Sequence, residues 1–280
     1  MKLLSGAYIA GTVTVALVIG PLPASGQVLS PHAIIDLAVD RAEEQRMLQT
    51  DLAYEAIVEV TTEHLDGDGA IKKIELATFR QYPLEGVVYE EMIAKEGELL
   101  DADDTRSEQE RRDKFIKEVR ERRDKGEDPG GDDENRVDFN EDFVSRYDFW
   151  IVGEAVINDY LCWVIELKPR NGDLPVRRQI DDALNNSTGR IWVSQDDYGV
   201  ARIEFEMAKS VRFWGGIAGT LRNTVGRFEF MRVEAAIWAP TTIDIRLDLR
   251  ILFKNIRRRV VREWVDYTLL PAAELECSLL

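Results

Sequence analysis

The chain has 280 residues, 45% of them apolar, and 52 acidic against 36 basic side chains give it a net charge of −16. Length and apolar content suffice for a sizeable buried core, and the acidic balance excludes a molecule-wide phosphate-binding surface of the kind nucleic-acid binders carry. Two histidines and two cysteines, with no Cys-x-x-Cys or His-x-x-x-His spacing, leave a zinc site little to build from.

Met1 and Lys2 precede an apolar run, 3–19, that Pro21 and Pro23 end, and Ala24, Ser25 and Gly26 then supply small residues. Residues 1–26 read as a bacterial signal peptide cleaved before Gln27, the alternative being an uncleaved anchor. No later stretch reaches the ~18 consecutive apolar residues of a membrane helix, so the mature chain is expected to be soluble in the periplasm. Ser30 and Pro31 open a helix, as N-cap and first helical residue, and Ile34, Leu37, Ala38, Ala42 and Leu48 recur on one side of it. Strands are expected over 53–63 and 70–82, joined by a turn at 65–69, and over 87–95. The aspartates of that turn imitate a calcium loop but lack its third acid and its sixth-position glycine. Residues 103–125 are strong helix formers, nearly all charged, with Phe115, Ile116 and Val119 as a thin apolar stripe. This predicts a mostly solvated helix. Residues 126–134 contain no apolar side chain and read as a loop or hinge inside one domain, or else as a domain boundary. Domain organisation is therefore expected as signal peptide 1–26, one domain 27–270 with an insertion at 103–135, and a tail 271–280.

Strand patterns then run almost to the end. Segments 147–152 and 160–168 are apolar on both faces, which predicts burial from both sides, with 156–159 as the turn between them. A short helix is expected over 174–185. The stretch 189–207 reads as a β-hairpin, with Ala201, Ile203, Phe205 and Met207 on one face and Arg202, Glu204 and Glu206 on the other. Such a ribbon cannot stand alone. Residues 213–221 are too apolar for an ordinary loop, and three strands, 225–235, 241–253 and 256–267, close the chain. Arg257, Arg258 and Arg259 do not form one basic patch, because the middle side chain of a strand triplet points the other way. The count is about ten strands, so the fold class is mainly β (α+β), a half-open curled antiparallel barrel with helices covering its concave face.

Nucleophile elbows and phosphate-cradling loops are absent from the sequence. The acid pairs Asp181 with Asp182 and Asp196 with Asp197 fall on a helix surface and in a turn, where acids are common, so no catalytic residue, cofactor or metal is assigned. Cys162 and Cys277 cannot be paired from sequence. All six tryptophans fall from Trp150 onward; they are either ordinary core or the lining of a cavity for an apolar ligand. The cavity or lid candidates are Trp163, Trp192, Ile203, Phe205, Phe213, Trp214, Ile217 and Leu221.

Together with the export signal and the first helix, the runs Tyr147-Asp148-Phe149, 164–169 (Val-Ile-Glu-Leu-Lys-Pro), 189–193 (Gly-Arg-Ile-Trp-Val), Asp197-Tyr198, 201–204 (Ala-Arg-Ile-Glu) and the Phe-Trp-Gly-Gly segment 213–216 resemble the outer-membrane lipoprotein-sorting proteins of the LolA/LolB/RseB-like superfamily. The resemblance spans about residues 29–267. It implies a half-open barrel of eleven antiparallel strands whose mouth helices close over a hydrophobic cavity. By the same resemblance the protein is a monomeric, non-enzymatic carrier or binder of a lipid or lipoprotein acyl chain. The alternative is an envelope regulatory module of the same fold, which binds an inner- or outer-membrane protein partner. No nucleic acid is expected.

Overall fold

The computed structural model describes residues 29–131, 137–213, 219–234, 237–252 and 254–271. The segment 1–26 expected to be a signal peptide, Trp214, Ile217, the acids at 132–134 and the residues from 272 onward lie outside the described residues. Among the described residues, no helix is long and apolar enough to cross a membrane.

Tight turns set the strand order. Helix α1 (Pro31–Met47) is followed by strands β1 (Tyr54–Leu65), β2 (Ile71–Leu84), β3 (Val87–Lys95) and the short β4 (Glu98–Leu99). Glu85 with Gly86 and Glu96 with Gly97 form two-residue loops, both members at positive φ, as type I′ hairpin turns require. The β1–β2 turn is held by the Asp66 carboxylate, which accepts from the N–H groups of Asp68 and Ala70 at 2.9 Å each. Helix α2 (Ala102–Lys125) and the one-turn α3 (Glu141–Val144) lead to β5 (Tyr147–Ile157) and β6 (Tyr160–Pro169), joined by Asn158 and Asp159, again both at positive φ. After α4 (Gln179–Leu184) come β7 (Ser187–Ser194), β8 (Val200–Met207), the short β9 (Val211–Phe213), β10 (Gly219–Glu234), β11 (Ile237–Ile251) and β12 (Lys254–Leu269). All pair antiparallel in one open sheet ordered β4-β3-β2-β1-β12-β11-β10-β8-β7-β6-β5, with β9 beside the start of β10. The last strand thus inserts between the first and the eleventh. The structure carries two more strands than the ten expected, because the short β4 and β9 have too few residues to show alternation.

The core lies where α1 crosses the sheet. Ser30 caps the helix by accepting the Ala33 N–H at 3.1 Å, and Ile34, Ile35, Ala38 and Val39 pack on Tyr147, Phe149, Ile165, Leu167, Ile191 and Val193. Each large aliphatic buried there contributes on the order of 1.5–3 kcal/mol. The buried stripe includes Ile35 and Val39, whereas Leu48, assigned to it from sequence, is 67% exposed at the helix end. Helix α2 lies on β3 through the expected thin stripe. Val119 is fully buried, the Tyr89 hydroxyl donates to Glu108 at 2.9 Å, and Arg120 bonds Glu85 at 2.6 Å.

Three expectations are corrected. Strand β5 is not buried on both sides: it is the edge of the sheet, and Trp150, Ile151, Val152 and Val156 are exposed. Its turn is confined to Asn158 and Asp159. The helix expected over 174–185 shortens to α4, because Pro175 lies in an irregular stretch and the backbone N–H groups of Arg177 and Arg178 are capped by Asp181 Oδ2 at 2.8 and 3.0 Å. Finally, the register shifts by one residue between β7 and β8 at Trp192 and Val193. This bulge turns Ala201 away from Ile203 and packs it with Cys162 and Trp192 of the other face.

Beneath α4 the fold is pinned by charge. Arg146, 1% exposed, donates to the Pro175 carbonyl at 2.9 Å, Asn185 Oδ1 at 2.8 Å and Asp142 at 3.0 Å, and meets fully buried Asp181 at 3.2 Å. Burial pushes the Asp181 carboxyl up, but the N–H groups of Arg178 and Arg177 and the Arg146 guanidinium outweigh it and hold the group below the usual carboxylate range. On β7, a Cβ on Gly189 would stand 2.1 Å from the Glu204 carbonyl oxygen. Gly189→Ala is therefore expected to cost about 1–3 kcal/mol by overpacking, read as a lowered urea midpoint; an unchanged midpoint would contradict this close approach.

Candidate functional site

Antiparallel register assigns each strand residue to one of two faces. Ile165, Ile191, Ile203, Phe228 and Ile243 are successive cross-strand partners on the face that α1 covers. One residue along, Glu166, Arg190, Glu204, Arg227 and Asp244 are partners on the opposite face and alternate in sign. The helix covers only part of its face. Farther along it, Phe205, Phe228, Ile245, Leu247 and Val260 remain half-buried.

Between α1 and the sheet lies a cavity of about 310 Å³. Its helix wall is Ala38 and Ala42, one turn apart, whose short side chains leave the gap unfilled. Phe139, Val200, Ile203, Phe230 and Trp238 form the apolar remainder, and Arg41, Gln45, Arg46, Thr50 and Asp51 supply the polar part of the lining. No histidine or cysteine lines it, and the described residues contain no group of three or more metal-ligating side chains.

Trp238 is the corner that fixes this cavity. Its indole N–H donates to Asp197 Oδ2 at 2.9 Å, the other Asp197 oxygen accepts from the Gly199 N–H at 3.2 Å, and the Trp238 carbonyl accepts from Gln45 of α1 at 3.2 Å. The Arg232 guanidinium lies 5.5 Å from the indole centroid. Gly199 has no room for a side chain, since its Cβ would fall 1.9 Å from the indole nitrogen. Burial raises the Asp197 carboxyl, but the hydrogen bonds from Trp238, Gly199 and Ser194 and the charge of Arg232 outweigh it and lower the group overall.

The eight residues singled out from sequence do not share one site. Ile203 lines the cavity. Trp163 packs at the margin of the core under α1, stacked on Tyr198 with centroids 5.9 Å apart. Trp192 lies on the opposite face, in the cluster with Cys162 and beneath the Arg202 guanidinium. The Phe205 ring fills the space above Gly226, where a Cβ would come within 2.2 Å of it, and stacks on Phe228 at 5.8 Å. Leu221 packs with Ala183, Met207 and Val211 in a separate cluster. Phe213 ends β9 with its backbone opposite Gly219; Trp214 and Ile217 lie outside the described residues. The apolar side chains of the cavity missed from sequence are Ala38, Ala42, Phe139, Val200, Phe230 and Trp238. Two alanines one helical turn apart on a buried stripe were the visible signal. The others depend on which strands become neighbours.

No family model and no curated protein matches the chain. Among solved structures it is similar to a LolA superfamily protein from Nitrosomonas europaea, at 13% identity over 89% of this chain and 98% of that one, with a TM-score of 0.34. It is also similar to a putative outer membrane lipoprotein-sorting protein domain from Vibrio parahaemolyticus, at 10% identity over 88% and 98%, with a TM-score of 0.33. A third similar structure is that of MucA/MucB from Pseudomonas aeruginosa, at 10% identity over 86% and 97%, with a TM-score of 0.23. No residue role is carried over from them.

Proposed function

We propose that the protein is a periplasmic, non-enzymatic binding protein that holds one apolar chain, of the lipid acyl type, in the cavity beneath α1. The observation that carries this reading is the cavity itself: about 310 Å³ left open between a helix and a sheet and walled mainly by alanine, valine, isoleucine and aromatic side chains. That volume stands at the lower end of ordinary ligand pockets, which favours a single chain over a multiply acylated one. Each methylene buried there contributes about 0.8 kcal/mol, so a chain of modest length binds without any polar contact. The half-buried apolar residues beside Ile203 extend the same face and give a longer chain somewhere to continue.

The test uses a fluorescent fatty acid and native mass spectrometry of the protein as purified from cells. Ala42→Trp, which fills the cavity from the helix side, is expected to abolish fatty-acid binding while leaving the circular dichroism spectrum intact. A wild-type protein that carries no lipid on extraction and ignores the fluorescent probe would sink the proposal.

A further inference from the structure

On the face turned away from α1 lies a larger cleft, of about 680 Å³, whose lining is charged. Most of its charges neutralise one another. Arg227 bonds Glu204 at 3.1 Å, Arg259 bonds Asp244 at 2.8 Å, and Glu166 meets Lys168 at 3.2 Å. Three lining residues stand outside this network. Arg190 is flanked across the sheet by Glu166 and Glu204, yet both carboxylates turn to other cations, and Arg190 makes no hydrogen bond or ion pair among the described residues. Arg246 is flanked by Val225 and Arg259, and although its charge helps to lower the neighbouring Asp244 carboxyl, that carboxylate is hydrogen-bonded by Arg259, at 2.9 and 2.8 Å, and not by Arg246. Glu206 is flanked by Thr188 and Val225, neither of which carries charge. All three are exposed.

Arg190 on β7 and Arg246 on β11 are separated by three inter-strand steps and by two residues along the strands, about 16 Å between their backbones at the usual spacings, and Glu206 on β8 stands in the row of Arg246 on the Arg190 side. The backbone of Gly189, Phe205 and Gly226 and the half-exposed Val225 complete the cleft. Two guanidinium groups that no carboxylate hydrogen-bonds are suited to the oxygens of a phosphate. A carboxylate between them is suited to an ammonium group, and repels a second negative charge. We propose that this cleft binds a zwitterionic phosphate ester that carries a primary amine, of phosphoethanolamine type. Its phosphate lies between Arg190 and Arg246 and its ammonium on Glu206. The site is on the opposite face from the apolar cavity, so its occupancy and the acyl-chain reading stand or fall separately.

The test titrates the purified protein at low ionic strength with phosphoethanolamine and with inorganic phosphate, by calorimetry. Saturable binding of phosphoethanolamine in preference to phosphate is the expected result. Arg190→Gln combined with Arg246→Gln is expected to weaken both by about tenfold or more. Glu206→Gln is expected to remove the preference while phosphate still binds. The three side chains are exposed, and an unchanged melting temperature confirms that each variant is folded. Flotation with phosphatidylcholine vesicles, with and without phosphatidylethanolamine, separates the two sources of the group: capture by the phosphatidylethanolamine vesicles alone identifies a lipid headgroup, and binding of the free compound without capture identifies a soluble ester. Absence of saturable binding to both phosphoethanolamine and the vesicles, or equal binding by the double-arginine variant, overturns the proposal.

Discussion

Arg146→Ala is expected to destabilise the protein by about 3–5 kcal/mol, because it leaves the fully buried Asp181 with the Arg178 guanidinium, at 3.1 Å, as its one remaining cation and opens a hole in the interior where the Arg146 side chain lay. The loss goes beyond one ion pair. The same guanidinium ties the Pro175 carbonyl, Asn185 and Asp142 together, so α3, α4 and the irregular stretch before α4 lose their common anchor. With about 2–4 °C per kcal/mol for a chain of this size, the melting temperature should fall by roughly 10 °C. Arg146→Lys should rescue only part of this, since an ammonium cannot reproduce the planar fork. Asp142→Asn, at the half-exposed end of the network, should cost under about 1 kcal/mol. Urea unfolding followed by circular dichroism measures all three, and a loss below that of Asp142→Asn for Arg146→Ala would refute the anchoring role. The pH dependence follows with its sign. Asp181 and Asp197 both have carboxyls lowered in the folded state, so the stability they contribute is complete above the ordinary aspartate value of about 4 and is lost as pH falls through their lower folded values. Unfolding midpoints should therefore decline on the acid side, and less steeply in Asp197→Asn.

Trp238→Ala is the second large effect, expected at about 3–5 kcal/mol for removal of a buried tryptophan. Its indole closes the corner where the β7–β8 turn, the start of β11 and the end of α1 meet. The variant therefore weakens the cavity as well as the fold. Trp238→Phe separates the two contributions. It keeps a ring against Val200 and Phe230 but removes the N–H, and should cost about 1–3 kcal/mol for the hydrogen bond that Asp197 Oδ2 loses while the cavity still accepts the fluorescent fatty acid. Retained stability in Trp238→Ala would mean that the corner is not closed by this residue. Loss of fatty-acid binding in Trp238→Phe, with the fold intact, would mean that the indole N–H rather than ring packing shapes the cavity.

Much of the fold was legible along the chain because its causes are local. Ser30 and Pro31 mark the start of α1 whatever it packs against, Glu85 with Gly86 turns the chain within two residues, and the alternation of Ile243, Ile245, Leu247 and Leu249 with charged residues declares a strand with two unlike faces. The thin stripe of α2 was visible for the same reason, since Phe115, Ile116 and Val119 are the apolar positions among charges. Pairing partners far apart in sequence were not visible. Nothing local says that β12 inserts between β1 and β11, or that β5, apolar on both sides, is left as an edge. Those outcomes depend on where each strand finds hydrogen-bond partners, and they decide that Trp192 faces away from α1 while Trp238 comes to lie beside it. The one-residue bulge at Val193 has the same character: alternation alone placed Ala201 with Ile203, and the shifted register separates them. The sequence by itself thus determined a mainly β chain with an acidic surface, a capped first helix and amphipathic strands, because caps, turns and alternation act over a few residues. Only the tertiary structure decided that Ala38 and Ala42 leave a cavity, and that Arg190, Glu206 and Arg246 meet in one cleft, because both arise between elements distant in the chain.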